Sequence, residues 1–203
     1  MLSTDDLANE LNAYGDLLFD LDNTLFSTED YDRGAFADIA NLYPNISDLA
    51  SYLLKTKKEK GPCYPHLFND VVAKFNLPTT EITKMIYCYH HHDGRYISPN
   101  PAYLQLLKNL KDNGHRLFLI SNGRPRIQRC KLKKLGFDRI FEAIRICDGS
   151  LEYPLKPNAQ VFFSLSTEYQ LNNPVMVGDT PDIDGLFAIA CKIPFIQHYY
   201  IKE

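Results

Sequence analysis

Leu17, Leu18 and Phe19 run without interruption into Asp20, and a second carboxylate, Asp22, follows before the chain turns apolar again at Leu25 and Phe26. Continuous apolar runs mark strands buried on both faces, as in a parallel sheet covered by helices on each side. A strand of this kind can carry charge only at its end, where the backbone leaves the core. Four later stretches have a similar build: RLFLISNG (116–123), AIRICDG (143–149), PVMVGDT (174–180) and PFIQHYY (194–200). The first three of these break into small or polar residues. Between the runs lie segments of helical spacing, Ala102 to Leu110, Arg126 to Leu135, Ala159 to Tyr169 and Ile183 to Cys191. Strands alternating with helices predict an α/β fold with a parallel sheet.

Residues between Phe26 and Pro99 follow another pattern. Tyr31 to Leu42, Ser47 to Leu54, Leu67 to Phe75 and Thr80 to His90 have helical periodicity, and LYPNIS, KTKKEKGPCYP and NLPTT between them are rich in turn formers. No run there resembles a core strand. The expected architecture is therefore α/β, a Rossmann-like parallel sheet core built from 1–27 and 99–203, with an all-helical domain inserted over 28–98. A first helix is expected in the opening residues, capped by Ser3 or Thr4, with Leu7 and Leu11 on its buried face.

Composition removes several classes of function. A formal net charge of −3 gives no positive field for nucleic acid or an anionic membrane. The basic run KTKKEK (55–60) is broken by Glu59 and reads as a solvated helix end. The acidic opening MLSTDDLANEL is no signal peptide, and no apolar run approaches the roughly 18 residues of a membrane span. Five cysteines, at 63, 88, 130, 147 and 191, are odd in number and form no CxxC, so reduced thiols and a cytoplasmic location are expected. Cys147 and Cys191 sit in apolar surroundings and read as small core residues. The 13 tyrosines and 12 phenylalanines are spread through both domains, which fits packing better than base stacking.

Ligands of an open α/β sheet collect outside the carboxyl ends of its strands. Asp20 and Asp22 fall there, as do Ser121 and Asn122, Asp179 with Asp182 and Asp184, and, before the next helix, Lys156 in PLKPNA. Carboxylates crowded together repel one another and are driven to protonate. A hard divalent cation removes that penalty, and Mg2+ prefers oxygen ligands while keeping several waters. An open Mg2+ beside a hydroxyl and an ammonium suits a phosphoryl group.

With these residues in order, the chain resembles a phosphatase of the haloacid dehalogenase superfamily. DLDNT (20–24) resembles its DxDxT motif, Ser121 in LISNG its hydroxyl motif, Lys156 in LKPNAQVF its lysine motif, and GDTPDID (178–184) its acidic motif. The helical insertion stands where one class of cap stands in that family. The resemblance implies Asp20 as nucleophile, forming an aspartyl phosphate, and Asp22 as general acid and then base. Ser121 and the backbone at Asn122 would bind the transferring phosphoryl, Thr24 would hold the turn against it, and Lys156 would hold both phosphate and nucleophile. Asp20 and Asp179 would meet Mg2+ directly, Asp22 through its main-chain carbonyl, and Asp184 through water or through Lys156. The acids after Asp179 lie at three and five residues, so either Asp182 or Asp184 could be the second acid. The resemblance favours Asp184, because counting onward from it aligns KIP (192–194) with the family's usual entry to the last strand, which would leave Asp182 facing solvent. Arg124 is a candidate for a second anionic group on the substrate.

Asp22 also separates branches of the family. Halide leaves without a proton, whereas an alkoxide needs one, so the acid favours phosphate esters over carbon–halogen bonds. The expected substrate is a small phosphorylated metabolite: a sugar phosphate, a nucleoside monophosphate or a phospho-acid. Phosphomutase-like transfer would use the same acid, and a non-catalytic receiver-like domain would use a similar set in a different chain order. The protein is expected as a monomer or homodimer, without nucleic acid or membrane partners. The run His90–His92 cannot converge on one ion, because consecutive helical residues point apart. His90, His92, Arg95 and Tyr96 are instead candidates for choosing the leaving group, and Tyr64 and Tyr87 for stacking on it.

Overall fold

A computed structural model describes residues 3–61 and 64–202. Cys63 lies outside the described residues; the other four cysteines are free thiols. The chain forms two compact units, one from residues up to Ser27 and from Ser98 onward, the other Thr28–Ile97.

The first unit is a five-stranded parallel sheet. Its strands are β1 (Asp16–Phe19), β2 (Arg116–Asn122), β3 (Ala143–Cys147), β4 (Pro174–Gly178) and β5 (Phe195–Gln197), in the order β3-β2-β1-β4-β5. β1 is central, pairing Leu17 with Leu117 on one side and Val175 on the other. Leu17, Leu18 and Phe19 are fully buried, as the uninterrupted apolar run requires. One face of the sheet, with Leu18, Phe118, Ile120 and Met176, packs on helices α8 (Gln160–Tyr169) and α9 (Leu186–Cys191). Helix α1 (Thr4–Leu11) packs on α6 (Pro101–Asp112), and α6 lies against β2. In α1 the Ser3 hydroxyl accepts from the Asp6 amide and the Asp6 carboxylate accepts from the Ser3 amide, a capping box, while Leu7 and Leu11 are buried. Helix α7 (Pro125–Leu135) follows β2 and ends on Gly136 in the left-handed conformation.

Two elements differ from the sequence expectation. β5 is only three residues long: the His198 amide still donates to the Gly178 carbonyl of β4, but Tyr200 has left the sheet and pairs with Asn23. The segment from Ile183 does not begin as an α-helix: Pro181–Gly185 is a π-helical turn, in which the amides of Ile183, Asp184 and Gly185 all point at the Thr180 carbonyl. Such widened turns are rare and cluster at functional sites.

The second unit holds α2 (Thr28–Asn41), α3 (Leu49–Lys60), α4 (Leu67–Lys74) and α5 (Glu81–His91), with no strand among its described residues. Phe36, Ile39, Leu49, Leu53, Val71 and Met85 form its core. Helix α3 runs on through the basic stretch that the sequence reads as a solvated end. Lys57 turns inward and donates to Asp32 at 2.7 Å and to the Tyr89 hydroxyl at 3.0 Å. An ammonium so paired needs less water, which is why one lysine of an exposed-looking run becomes half-buried. His92 is likewise taken up inside: its Nδ1 lies 2.7 Å from Asp38, and its ring sits so close to Gly34 that a Cβ there would come within 2.3 Å of Nε2. Arg95 pairs with Asp93 and Asp38, whereas Tyr87 and Tyr96 are exposed.

Candidate active site

Strand order reverses around β1, the place where an open α/β sheet gathers ligands. Asp20 follows β1 directly, and its amide donates to the Val177 carbonyl, extending the β1–β4 pairing by one residue. The chain then turns back sharply. The Leu25 amide donates to the Leu21 carbonyl, the Asn23 amide to the Phe26 carbonyl, and Asn23 takes φ +58°, which asparagine tolerates better than most residues. Tyr200, in the segment after β5, donates its amide to the Asn23 carbonyl at 2.6 Å and so ties this loop to the end of the chain. Thr24 is fully buried beneath the turn, and its hydroxyl meets no hydrogen-bond acceptor or donor among the described residues.

Lys156 is the hub of the site. Its Nζ donates to Asp20 at 2.7 Å and to Asp184 at 2.6 Å, and all three side chains are almost wholly buried. The Asn122 side chain grips the main chain of this lysine twice: its Oδ1 accepts from the Lys156 amide and its Nδ2 donates to the Lys156 carbonyl. Asn122 thus fixes the loop that delivers the ammonium, a contact the motif pattern does not reveal. Asp184 is aimed inward by the π-helical turn, its second oxygen accepting from the Thr180 amide at 3.2 Å. Room for it comes from Gly178, where a Cβ would approach the Asp184 carboxylate to 2.4 Å. Asp182, on the same turn, is exposed.

Carboxylate oxygens of Asp20, Asp179 and Asp184 lie within 4.8 Å of one another. Burial pushes Asp20 up to about 7; Lys156 pulls against it, and the charges of Asp184 and Asp22 add to the rise. Burial also raises Asp179, opposed by the hydrogen bond from the Thr180 hydroxyl. Burial works against the Lys156 ammonium as well, yet Asp20 and Asp184 outweigh it and hold the lysine above its ordinary value. The lysine is thus held charged, and the cost of burial falls on Asp20 and Asp179. Three clustered carboxylates and one ammonium leave two negative charges, the charge of one divalent cation. An all-oxygen donor set of this kind fits Mg2+ or Ca2+ rather than a metal that seeks nitrogen or sulfur.

The Asp22 carboxylate is not part of that cluster. It faces α7, where Lys131 donates to both its oxygens at 2.7 and 2.9 Å and Gln128 donates to Oδ2 at 2.9 Å. Any metal contact of Asp22 is left to its main chain, and the side chain stands apart with a cation of its own. Gln128 also reaches the Ser121 hydroxyl at 2.8 Å, and both Gln128 and Ser121 are buried. Gln128 and Lys131 escape a motif reading because they sit in a helix crowded with cations, RIQRCKLKK. Their signal is the i, i+3 spacing, which puts both on one stripe of α7. Arg124 is exposed at the start of that helix. Cys147 and Cys191 are buried, and burial pushes their thiols up to about 11 and about 12, far from a reactive thiolate.

The sequence profile described as haloacid dehalogenase-like hydrolase matches residues 17–197. The chain belongs to that family, and within it to the phosphatases. It is 28% identical, over 194 residues covering 90% of this chain and 81% of the relative, to a glyceraldehyde 3-phosphate phosphatase of Pyrococcus abyssi. Among solved structures, a haloacid dehalogenase-superfamily hydrolase of subfamily IA from Geobacter sulfurreducens superposes with a TM-score of 0.67 at 17% identity, covering 91% of this chain and 87% of the other. The L-2-haloacid dehalogenase of Xanthobacter autotrophicus gives 0.62 at 14% identity, covering 91% and 77%. At such identities these two establish the shared fold. Among the described residues no helix is long and apolar enough to cross a membrane.

Proposed function

We propose that the protein is a Mg2+-dependent phosphomonoesterase that hydrolyses a small phosphorylated metabolite through an aspartyl phosphate on Asp20. The observation that carries this reading is the cluster of Asp20, Asp179 and Asp184 around Lys156, with Asp22 held separately. Asp20, Asp179 and Asp184, with the main-chain carbonyl of Asp22, would hold the cation, which when bound neutralises phosphoryl oxygens. A carboxylate oxygen of Asp20 attacks phosphorus as the bond to the leaving oxygen breaks, and Asp22 gives that oxygen its proton. Water then attacks the aspartyl phosphate, its proton passes to Asp22, and phosphate departs from Asp20. Lys156 balances charge on the phosphoryl group and on Asp20 throughout. Ser121 donates its hydroxyl to a phosphoryl oxygen: its Oγ accepts from Gln128, which leaves its own proton to point elsewhere.

The relatives named as glyceraldehyde 3-phosphate phosphatases make a three-carbon phosphate the first substrate to try, followed by phosphoglycolate, sugar phosphates and nucleoside monophosphates. Phosphate release from p-nitrophenyl phosphate and from this panel, in the presence of Mg2+, tests the reading. Turnover that disappears in Asp20→Asn supports it. A folded protein that releases phosphate from no member of the panel sinks it.

A further inference from the structure

We propose that Gln128 and Lys131 are positioning residues that fix the Asp22 carboxylate for proton transfer to the leaving oxygen, and that Gln128 couples this placement to the phosphoryl-binding hydroxyl of Ser121. The inference rests on the phosphatase reading above and adds the residues that set up its general acid.

The geometry carries the argument. Asp22 receives three hydrogen bonds from two side chains one turn apart on α7, Lys131 to both oxygens and Gln128 to Oδ2. Three contacts leave the carboxylate little freedom to rotate, and Lys131, 5% exposed, is packed in place itself. Its ammonium also lies 5.9 Å over the Phe26 ring, at the far end of the turn that carries Asp22. The orientation of the Gln128 amide is fixed by chemistry. The Asn122 carbonyl, within reach of its terminal nitrogen, can only accept, as can Asp22 Oδ2 when ionised, so that nitrogen is the donor. One amide therefore holds the acid and the hydroxyl together: Asp22 at 2.9 Å and Ser121 at 2.8 Å. Gly123 preserves the fit, since with φ +150° a Cβ there would come within 3.0 Å of the Gln128 side chain. When Asp22 releases its proton it becomes an anion, and the donors that stabilise the anion are already in place, with no reorganisation required.

A positioning role is separable from a structural one through the leaving group. The nitrophenolate of p-nitrophenyl phosphate departs without help from an acid, whereas phenyl phosphate and glycerol 2-phosphate need a proton. In Lys131→Met, kcat/KM on the last two should fall roughly a hundredfold and on p-nitrophenyl phosphate by less than about fivefold. Lys131→Arg should recover most of the loss. In an Asp22→Asn background, Lys131→Met should cost nothing further, because the residue acts through the acid. Equal losses on all three esters, or an undiminished loss in the Asp22→Asn background, would overturn the proposal. If Lys131→Met does not fold, Gln128→Leu carries the same comparison. It should weaken all three esters through Ser121 and the two poor leaving groups additionally; the absence of that additional loss would also overturn it. A wild-type protein inactive on every ester would instead remove the phosphatase reading itself.

Discussion

Each unit pairs a lysine with a buried aspartate, and the two arrangements differ in one respect. In the helical unit Lys57 meets one carboxylate, Asp32, with the Tyr89 hydroxyl completing the group and its ring 5.3 Å below the ammonium. Charge is balanced there. In the α/β unit Lys156 is shared by Asp20 and Asp184, with Asp179 close by. Charge there is in excess; burial raises Asp20 and Asp179, and the charge of Asp184 adds to the rise of both. A balanced pair is architecture, whereas an unbalanced group stores repulsion that a proton or a bound cation relieves. The same contrast holds along the sheet. At the amino end of β1, Asp16 meets Arg116 through two hydrogen bonds and also accepts from the Asn172 amide, a closed and satisfied group.

Substitution should therefore act with opposite signs in the two places. Asp20→Asn is expected to lower phosphate release by at least about a thousandfold, as loss of a nucleophile does, yet to leave metal-free stability unchanged or higher, since it removes a repelling charge. Asp32→Asn should do the reverse. It leaves the half-buried Lys57 ammonium without its carboxylate, at a cost of about 1–3 kcal/mol. Urea unfolding and phosphate release on both variants check the pair; a destabilised Asp20→Asn would break the contrast.

The part of this contrast that the sequence makes visible is its unbalanced half. Acids after buried strands stand out because the runs before them, LLF and PVMVG, are apolar up to the strand end, so Asp20, Asp22, Asp179 and Asp184 can be singled out, and the family's usual spacing favours Asp184 over Asp182. The balanced half is hidden. Lys57 lies in KTKKEK, where nothing local tells the inward lysine from its outward neighbours; the choice is made by α2 and α5, which bring Asp32 and Tyr89. Lys131 is hidden in the same way among the cations of α7. The π-helical turn is illegible too, because it depends on a single carbonyl, Thr180, collecting three amides around an inward Asp184.

Metal addition sharpens the comparison further. A cation that binds only the folded site stabilises it by about 2.7 kcal/mol at a hundredfold excess over its Kd. Mg2+ should accordingly raise the thermal midpoint of the wild type and of Asp32→Asn by similar increments, reversibly with chelator. Asp179→Asn and Asp184→Asn should lose most of that response. A response that survives both substitutions would place the cation elsewhere.

The smallest effect expected concerns a buried group that is balanced by staying neutral. His198 follows β5, is 1% exposed, and has its Nε2 2.9 Å from the Tyr103 hydroxyl. Burial lowers its pKa from the ordinary 6.5 to about 4. The folded protein therefore resists a proton that the unfolded chain accepts, so stability falls as pH drops below about 6.5 and the loss is complete near pH 4. At pH 5 the linkage amounts to about 2 kcal/mol relative to pH 8. Carboxylates titrate in the same window, so the informative quantity is a difference. His198→Gln keeps a hydrogen-bonding partner for Tyr103 and cannot titrate. It should be less stable than the wild type at pH 8 by a modest amount and should close or reverse that gap by pH 5. Parallel pH dependences for the two proteins would mean that His198 takes up its proton without leaving its pocket, and that neutrality is no part of what holds this end of the α/β unit together.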